Sequence, residues 1–165
     1  MNTRKLLFSK NTGWKIINLK ALVGSGDKIM LLTLPFLAIG LILNILYPSS
    51  FSVGGPPTAL KAISFIVLIP GITIWLWSVV LILIKVPQKK LINYGPYSLV
   101  KHPLYTSVAL LVLPWIGFLL NSWLGVVLGV ILYLASRLFA PEEEKALSQT
   151  FGTAWDEYCN QVKIS

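Results

Sequence analysis

The side chains best suited to chemistry fall in two short stretches of this chain. The first, Asn93-Tyr94-Gly95-Pro96-Tyr97-Ser98-Leu99-Val100-Lys101-His102-Pro103-Leu104-Tyr105, holds the one histidine of the sequence, with a lysine before it and tyrosines on both sides. Histidine exchanges protons near neutral pH and can donate to a bound anion, lysine brings a positive charge, and tyrosine a flat face with a hydroxyl. The second, Pro141-Glu142-Glu143-Glu144, holds three of the six acidic residues. Adjacent carboxylates recognise cations and accept protons, so the two stretches together offer both signs of charge, proton transfer and aromatic surfaces.

Each stretch also has a purely structural reading. Gly95-Pro96 forces a turn, and Pro103 suits the first turn of a helix, where its missing N–H leaves nothing unpaired; Lys101, His102 and Tyr105 then gather at the mouth of that helix. Pro141 followed by three glutamates reads equally as a helix start, with carboxylates complementing the positive end of the helix dipole. Beyond it, Leu147, Phe151, Trp155, Tyr158 and Val162 recur at three- and four-residue spacing, an apolar stripe interrupted by Gly152. Metal chemistry is not expected. Cys159 is the single cysteine, which excludes an internal disulfide, and with His102 it falls short of the three or four ligands of a zinc site.

The elements that must position these residues are apolar. The 165 residues are 55% hydrophobic and 12% charged, with a mean hydropathy of +0.74, whereas a soluble domain carries about 25% charged residues. Four runs, roughly Ile29–Tyr47, Ala62–Val86, Leu104–Leu120 and Ser122–Ala140, are long enough to cross a bilayer as helices. Pro48–Leu60, with its Gly-Gly and Pro-Pro pairs, is a loop, and the last two runs, parted at Asn121 and Ser122, form a tight antiparallel hairpin. Pro35, Pro70 and Pro114 fall inside spans, where neighbouring helices satisfy the carbonyls they free. No small-residue cleavage site follows the first apolar run, so it is expected to stay in the mature protein.

The formal charge of +8 is distributed as an orientation signal rather than as a nucleic-acid footprint. With four spans, every Lys and Arg except Lys61 falls on one side, thirteen of 14. Both termini, the loop between the second and third spans and the two chemical stretches are therefore expected to be cytoplasmic, in the inner or plasma membrane of the cell. Residues 1–24 mix basic residues with Leu6, Leu7, Phe8, Trp14 and Ile16, a composition suited to a helix lying in the membrane interface and equally to a frayed basic tail bound to anionic headgroups. The expectation is one all-α domain over 1–165: a polytopic membrane protein with about four transmembrane helices, an N-terminal interfacial segment and a C-terminal cytoplasmic amphipathic helix.

Gly95-Pro96-Tyr97, Lys101-His102-Pro103 and Tyr105, followed about 40 residues later by Glu143-Glu144, Leu147, Phe151-Gly152 and Tyr158, resemble the core of the isoprenylcysteine carboxyl methyltransferase and phospholipid methyltransferase superfamily. The resemblance covers about 93–162 and rests on two motifs in order across a hairpin of the right length. It implies S-adenosylmethionine as cofactor, bound by Tyr97, Lys101, His102, Pro103, Tyr105, Glu143 and Glu144, with His102 and Glu143 as candidate catalytic groups. It also implies a lipophilic acceptor reached through the bilayer: an isoprenylcysteine-type carboxylate, a lipid headgroup amine or a small hydrophobic nucleophile. The chain departs from the family pattern at Lys101, usually Arg, at Ser107, usually Gly, and at Trp155, usually Tyr. Trp155-Asp156-Glu157-Tyr158-Cys159 also resembles the tail of membrane reductases of the sterol-reductase type, which use NADPH. That reductase and a non-catalytic homologue are the alternatives.

Overall fold

A computed structural model describes residues 11–55 and 57–162, with side chains from Gly26 onward. Among these residues the regular structure is helical throughout: α1 (Asn11–Leu46), α2 (Pro48–Phe51), α3 (Thr58–Lys85), a 3-10 turn (Gly95–Ser98), α4 (Pro103–Ser107), a π turn (Val108–Val112), α5 (Leu113–Leu119), α6 (Leu124–Phe151) and α7 (Thr153–Gln161). Three of these helices are long and apolar enough to cross a membrane, over Gly26–Leu46, Thr58–Lys85 and Leu124–Phe151. The remaining expected span is a shorter apolar helix, Pro103–Leu119, assembled from α4, the π turn and α5. At 1.5 Å per residue it is about 25 Å long, near the lower limit for a span. Large apolar side chains stay on the outside, Leu31 at 77% and Ile45 at 75% exposed, as lipid contact requires.

Three expectations about boundaries change. The first span was expected to start at Ile29 after a separate interfacial segment, but α1 is one helix from Asn11; residues 1–10 of that segment lie outside the described residues. Pro141 was read as a possible helix start, yet α6 runs through it without a break, from Leu124 to Phe151. Glu142, Glu143 and Glu144 are therefore interior residues of a long helix, and the first-turn dipole no longer accounts for them. The apolar stripe expected on one helix is divided instead at Gly152 between α6 and α7.

Bare backbone brings the helices together. In the α5–α6 hairpin, a Cβ on Gly125 would stand 2.2 Å from the Leu113 carbonyl oxygen, and one on Gly117 would stand 2.8 Å from the Cα of Gly125. Small residues of this kind let membrane helices approach closely enough for dispersion to hold them. The turn is closed by Asn121 at φ 55° and by the Ser122 N–H donating to Gly117 over 2.8 Å. Pro114 is met by the π turn, in which the Leu113 N–H reaches back five residues to Val108. Such a wide turn needs room on both sides. Gly71 of α3 supplies it against Leu111, and Gly129 of α6 against the Ala109 carbonyl.

At the end away from His102, the α1–α3 connection is fastened to the hairpin turn. Gly55 N–H donates to Asn121 Oδ1 (2.9 Å), Asn121 Nδ2 to Ser52 Oγ (2.8 Å) and Trp123 N–H to the Phe51 carbonyl (3.0 Å). The rings of Phe51 and Trp123 lie 5.3 Å apart.

Candidate active site

The site forms where α3 ends, α4 begins and α6 emerges from the bundle. After Lys85 the chain reverses through Pro87–Lys89, with Lys89 at φ 54°, and Ile92 is buried below it. Gly95 then turns at φ 64° beneath Trp77, whose ring would be 3.1 Å from any Cβ placed there, so the turn needs glycine for both conformation and space. The following 3-10 turn buries Pro96 and closes with Ser98 Oγ donating to the Gly95 carbonyl (2.7 Å). His102 precedes the first turn of α4, its carbonyl accepting from Thr106 N–H (3.1 Å), and Pro103 is fully buried at the first helical position as its missing N–H allows.

From the other side, α6 presents its carboxylates and α7 folds back. Gly152, at φ 53° and ψ −129°, makes the bend, a backbone conformation that side chains with a Cβ resist. Trp155, Tyr158 and Val162 are thereby buried against Leu91, Leu147, Phe151 and Cys159. Tyr158 Oη donates to the Tyr97 carbonyl over 2.8 Å, which locks α7 to the turn ahead of α4. Burial, then the charge on Glu143, pushes the Tyr97 phenol well above its ordinary pKa; burial, then Cys159 and Glu144, does the same for Tyr158. Both stay protonated, as the Tyr158 hydrogen bond requires.

His102 is 8% exposed and lies between two carboxylates, its Nε2 3.4 Å from Glu144 Oε1 and its Nδ1 3.9 Å from Glu143 Oε2. Lys101 Nζ approaches the other oxygen of Glu144 at 3.6 Å. The two stretches, some 40 residues apart in sequence, thus meet in one charge cluster. Beside it is a cavity of about 220 Å³. Tyr97, Lys101, His102, Tyr105 and Glu143 all line it. Of the remaining expected residues, Pro103 is packed beneath the wall and Glu144 stands behind Lys101 and His102 rather than on the cavity surface. The rest of the lining is largely apolar and includes Ile82, Val86, Leu147, Phe151 and Trp155.

The profile of the isoprenylcysteine carboxyl methyltransferase (ICMT) family matches residues 60–149, more than half of the sequence. The chain belongs to this family. It is an integral membrane protein of a methyltransferase family. The match takes in all of α3 but its first two residues, both halves of the charge cluster and all of α6 but its last two residues, leaving α7 outside. Comparison with curated proteins and with solved structures gave no match.

The three residues read from the sequence as departures from the family pattern are each packed or paired. Ser107 is 3% exposed and turns its hydroxyl onto the Leu104 carbonyl of its own helix (3.1 Å). Trp155 is 5% exposed, stacks obliquely on Tyr158 at 5.3 Å and forms part of the cavity wall. Lys101 is held by Glu144. The sequence reading missed Lys90, Ile82 and Val86 on the cavity wall. The signal for Lys90 was weak: it stands directly before the apolar pair Leu91-Ile92 that anchors the segment, but nothing in its type sets it apart from Lys85 or Lys89.

Proposed function

We propose that this protein transfers the methyl group of S-adenosylmethionine to a lipophilic acceptor reached from the bilayer. The observation that carries the reading is the convergence of the two stretches on one cavity whose lining combines charged, aromatic and apolar side chains. The donor set suits the cofactor. Its ammonium and sulfonium call for a carboxylate, here Glu143; its carboxylate calls for a cation; its adenine calls for flat faces such as Tyr97, Tyr105 and Trp155.

The cofactor supplies a methyl group on positively charged sulfur: as the acceptor–methyl bond forms, the carbon–sulfur bond breaks and its electron pair returns to sulfur, leaving a neutral thioether. Alignment and exclusion of water carry most of such a displacement. Glu143 orients the cationic end, and the wall of Ile82, Val86, Leu147 and Phe151 keeps water away and receives an apolar acceptor. A carboxylate acceptor attacks unaided. An ammonium must first give up a proton, to Glu143 or His102, which both line the cavity. Glu144 holds Lys101 and His102 in place from behind.

In this reading Pro103–Leu119 crosses the membrane as the third of four spans, and the site and both termini face the cytoplasm, on the side of thirteen of the 14 basic residues. Thermal unfolding of the detergent-purified protein tests the cofactor: S-adenosylmethionine and S-adenosylhomocysteine should raise the midpoint, and NADPH should not. Transfer of labelled methyl should then require a prenylated or otherwise lipophilic acceptor. Stabilisation by NADPH alone, or methylation of freely soluble polar acceptors alone, would count against the proposal.

A further inference from the structure

The stretch of α1 at residues 26–29 lies outside the match to the family, yet it touches the site's own elements at two places. The first is Gly26. A Cβ placed there would stand 3.1 Å from the Tyr105 hydroxyl oxygen, tighter than ordinary van der Waals contact, and Tyr105 is one of the rings that line the cavity. The second is Lys28. Its ammonium pairs with Glu142, the residue before Glu143, and stands 6.0 Å from the ring centre of Phe139, one turn earlier on α6.

Both contacts are made by a helix packed along α6. Ile29 is 2% exposed, and further along α1 a Cβ on Gly40 would meet Leu128 at 3.8 Å, an ordinary contact. The Lys28 and Glu142 side chains are more than half solvated between them, and such a pair stabilises the fold little by itself. Its use is in register. Lys28 meets α6 at two positions three residues apart, 139 and 142, which fixes where α1 sits along α6 and so which α1 residue stands against the Tyr105 hydroxyl. Glycine leaves the phenol its room. Any side chain there would push the hydroxyl aside by a few tenths of an ångström or more, and with it a ring of the cavity lining.

We infer that Gly26 is a positioning residue for the cofactor site, with Lys28 holding it in register, so that α1 sets where Tyr105 stands in the cavity lining; this rests on the cofactor reading above. Gly26 touches no ligand in this role. It acts through Tyr105.

A double-mutant cycle, read by calorimetric titration of the purified protein with S-adenosylhomocysteine, isolates the contact. Gly26→Ala should weaken the ligand about threefold or more. In Tyr105→Phe protein, which lacks the atom that the new Cβ meets, Gly26→Ala should change the affinity by less than about 1.5-fold. Lys28→Gln should weaken binding in the same direction, and Lys28→Arg, which keeps charge and reach, should stay within about twofold of the wild type. The same loss from Gly26→Ala in both backgrounds, or no loss in either Gly26→Ala or Lys28→Gln, would overturn the assignment while leaving the cofactor reading in place. Failure of the wild-type protein to bind S-adenosylhomocysteine would overturn both. Melting midpoints taken on the same samples confirm that the affinities refer to folded protein, and the Lys28 variants, changed at the surface, decide the matter if Gly26→Ala does not fold.

Discussion

Glu143→Gln separates a cofactor pocket from a mere cluster of ion pairs. The substitution keeps the size and reach of the side chain and removes one negative charge from the cavity wall. Within the protein it weakens the attraction to His102, 3.9 Å away, and a melting midpoint measured alongside separates any effect on folding from the effect on binding. Towards a ligand ammonium the loss is larger. At about 4 Å the Coulomb energy is about 1 kcal/mol in water and about 4 kcal/mol at an effective dielectric near 20. The Glu143 side chain is 19% exposed and falls between these limits. A loss of about 1.4 to 2.7 kcal/mol, roughly tenfold to a hundredfold in affinity, is the expected outcome. Calorimetric titration with S-adenosylmethionine and S-adenosylhomocysteine measures it and adds a second result. Equal weakening of both ligands assigns Glu143 to the ammonium; a greater loss for S-adenosylmethionine assigns it to the sulfonium. Glu144→Gln, changed behind the wall, should weaken binding less than Glu143→Gln. Unchanged affinity for both ligands in Glu143→Gln would refute the reasoning.

Other outcomes follow from the backbone and the buried phenols. Gly152→Ala places a Cβ in open space but in a backbone conformation that resists it, and should lower stability by about 1 to 3 kcal/mol in thermal unfolding. Gly125→Ala drives a Cβ into the Leu113 carbonyl at 2.2 Å; hairpin overpacking should cost about 1 to 3 kcal/mol and lower the melting midpoint in detergent. Tyr158→Phe removes the hydrogen bond to Tyr97 and should cost about 1 kcal/mol. Because both phenols are held above their ordinary pKa, the native state keeps protons that the unfolded chain releases. Their contribution is fully present below about pH 10 and declines above it, so Tyr97→Phe and Tyr158→Phe should flatten the alkaline loss of stability. In a Cys159→Ser background, a cysteine at Ser49 should react with an impermeant maleimide from outside intact cells and one at Gln88 should not; the reverse pattern would invert the orientation.

Much of this architecture was legible because a bilayer imposes simple rules on a sequence. Runs of apolar residues had to become helices, and the break at Asn121 had to become a hairpin. The meeting of His102 with Glu143 and Glu144 was legible only through the spacing of two motifs across that hairpin; neither motif alone distinguishes a ligand site from a helix end. Pro141 misled, because proline with glutamates behind it has the grammar of a helix start, whereas α6 continues through it beside α1, whose Lys28 pairs with Glu142. The π turn was invisible for a different reason. Pro114 announces that a hydrogen bond is missing, but how the turn widens is decided by the space Gly71 and Gly129 leave on either side. Lys90 joins the cavity lining directly after Lys89, whose positive φ its residue type does not advertise.

The continuity of α6 makes it a lever. Glu143 lies about 28 Å along the helix from its start at Leu124, so a tilt of about 1° about the hairpin end moves that carboxylate by roughly 0.5 Å. Transmembrane helices tilt to match the thickness of the hydrocarbon around them. The clasp between residues 51–55 and 121–123 steadies the fulcrum, and the displacement is delivered to the far arm, where Glu143 meets the cavity. Any tilt of α6 about its hairpin end therefore changes the distance between Glu143 and the part of the cavity lining that α3 and α4 supply.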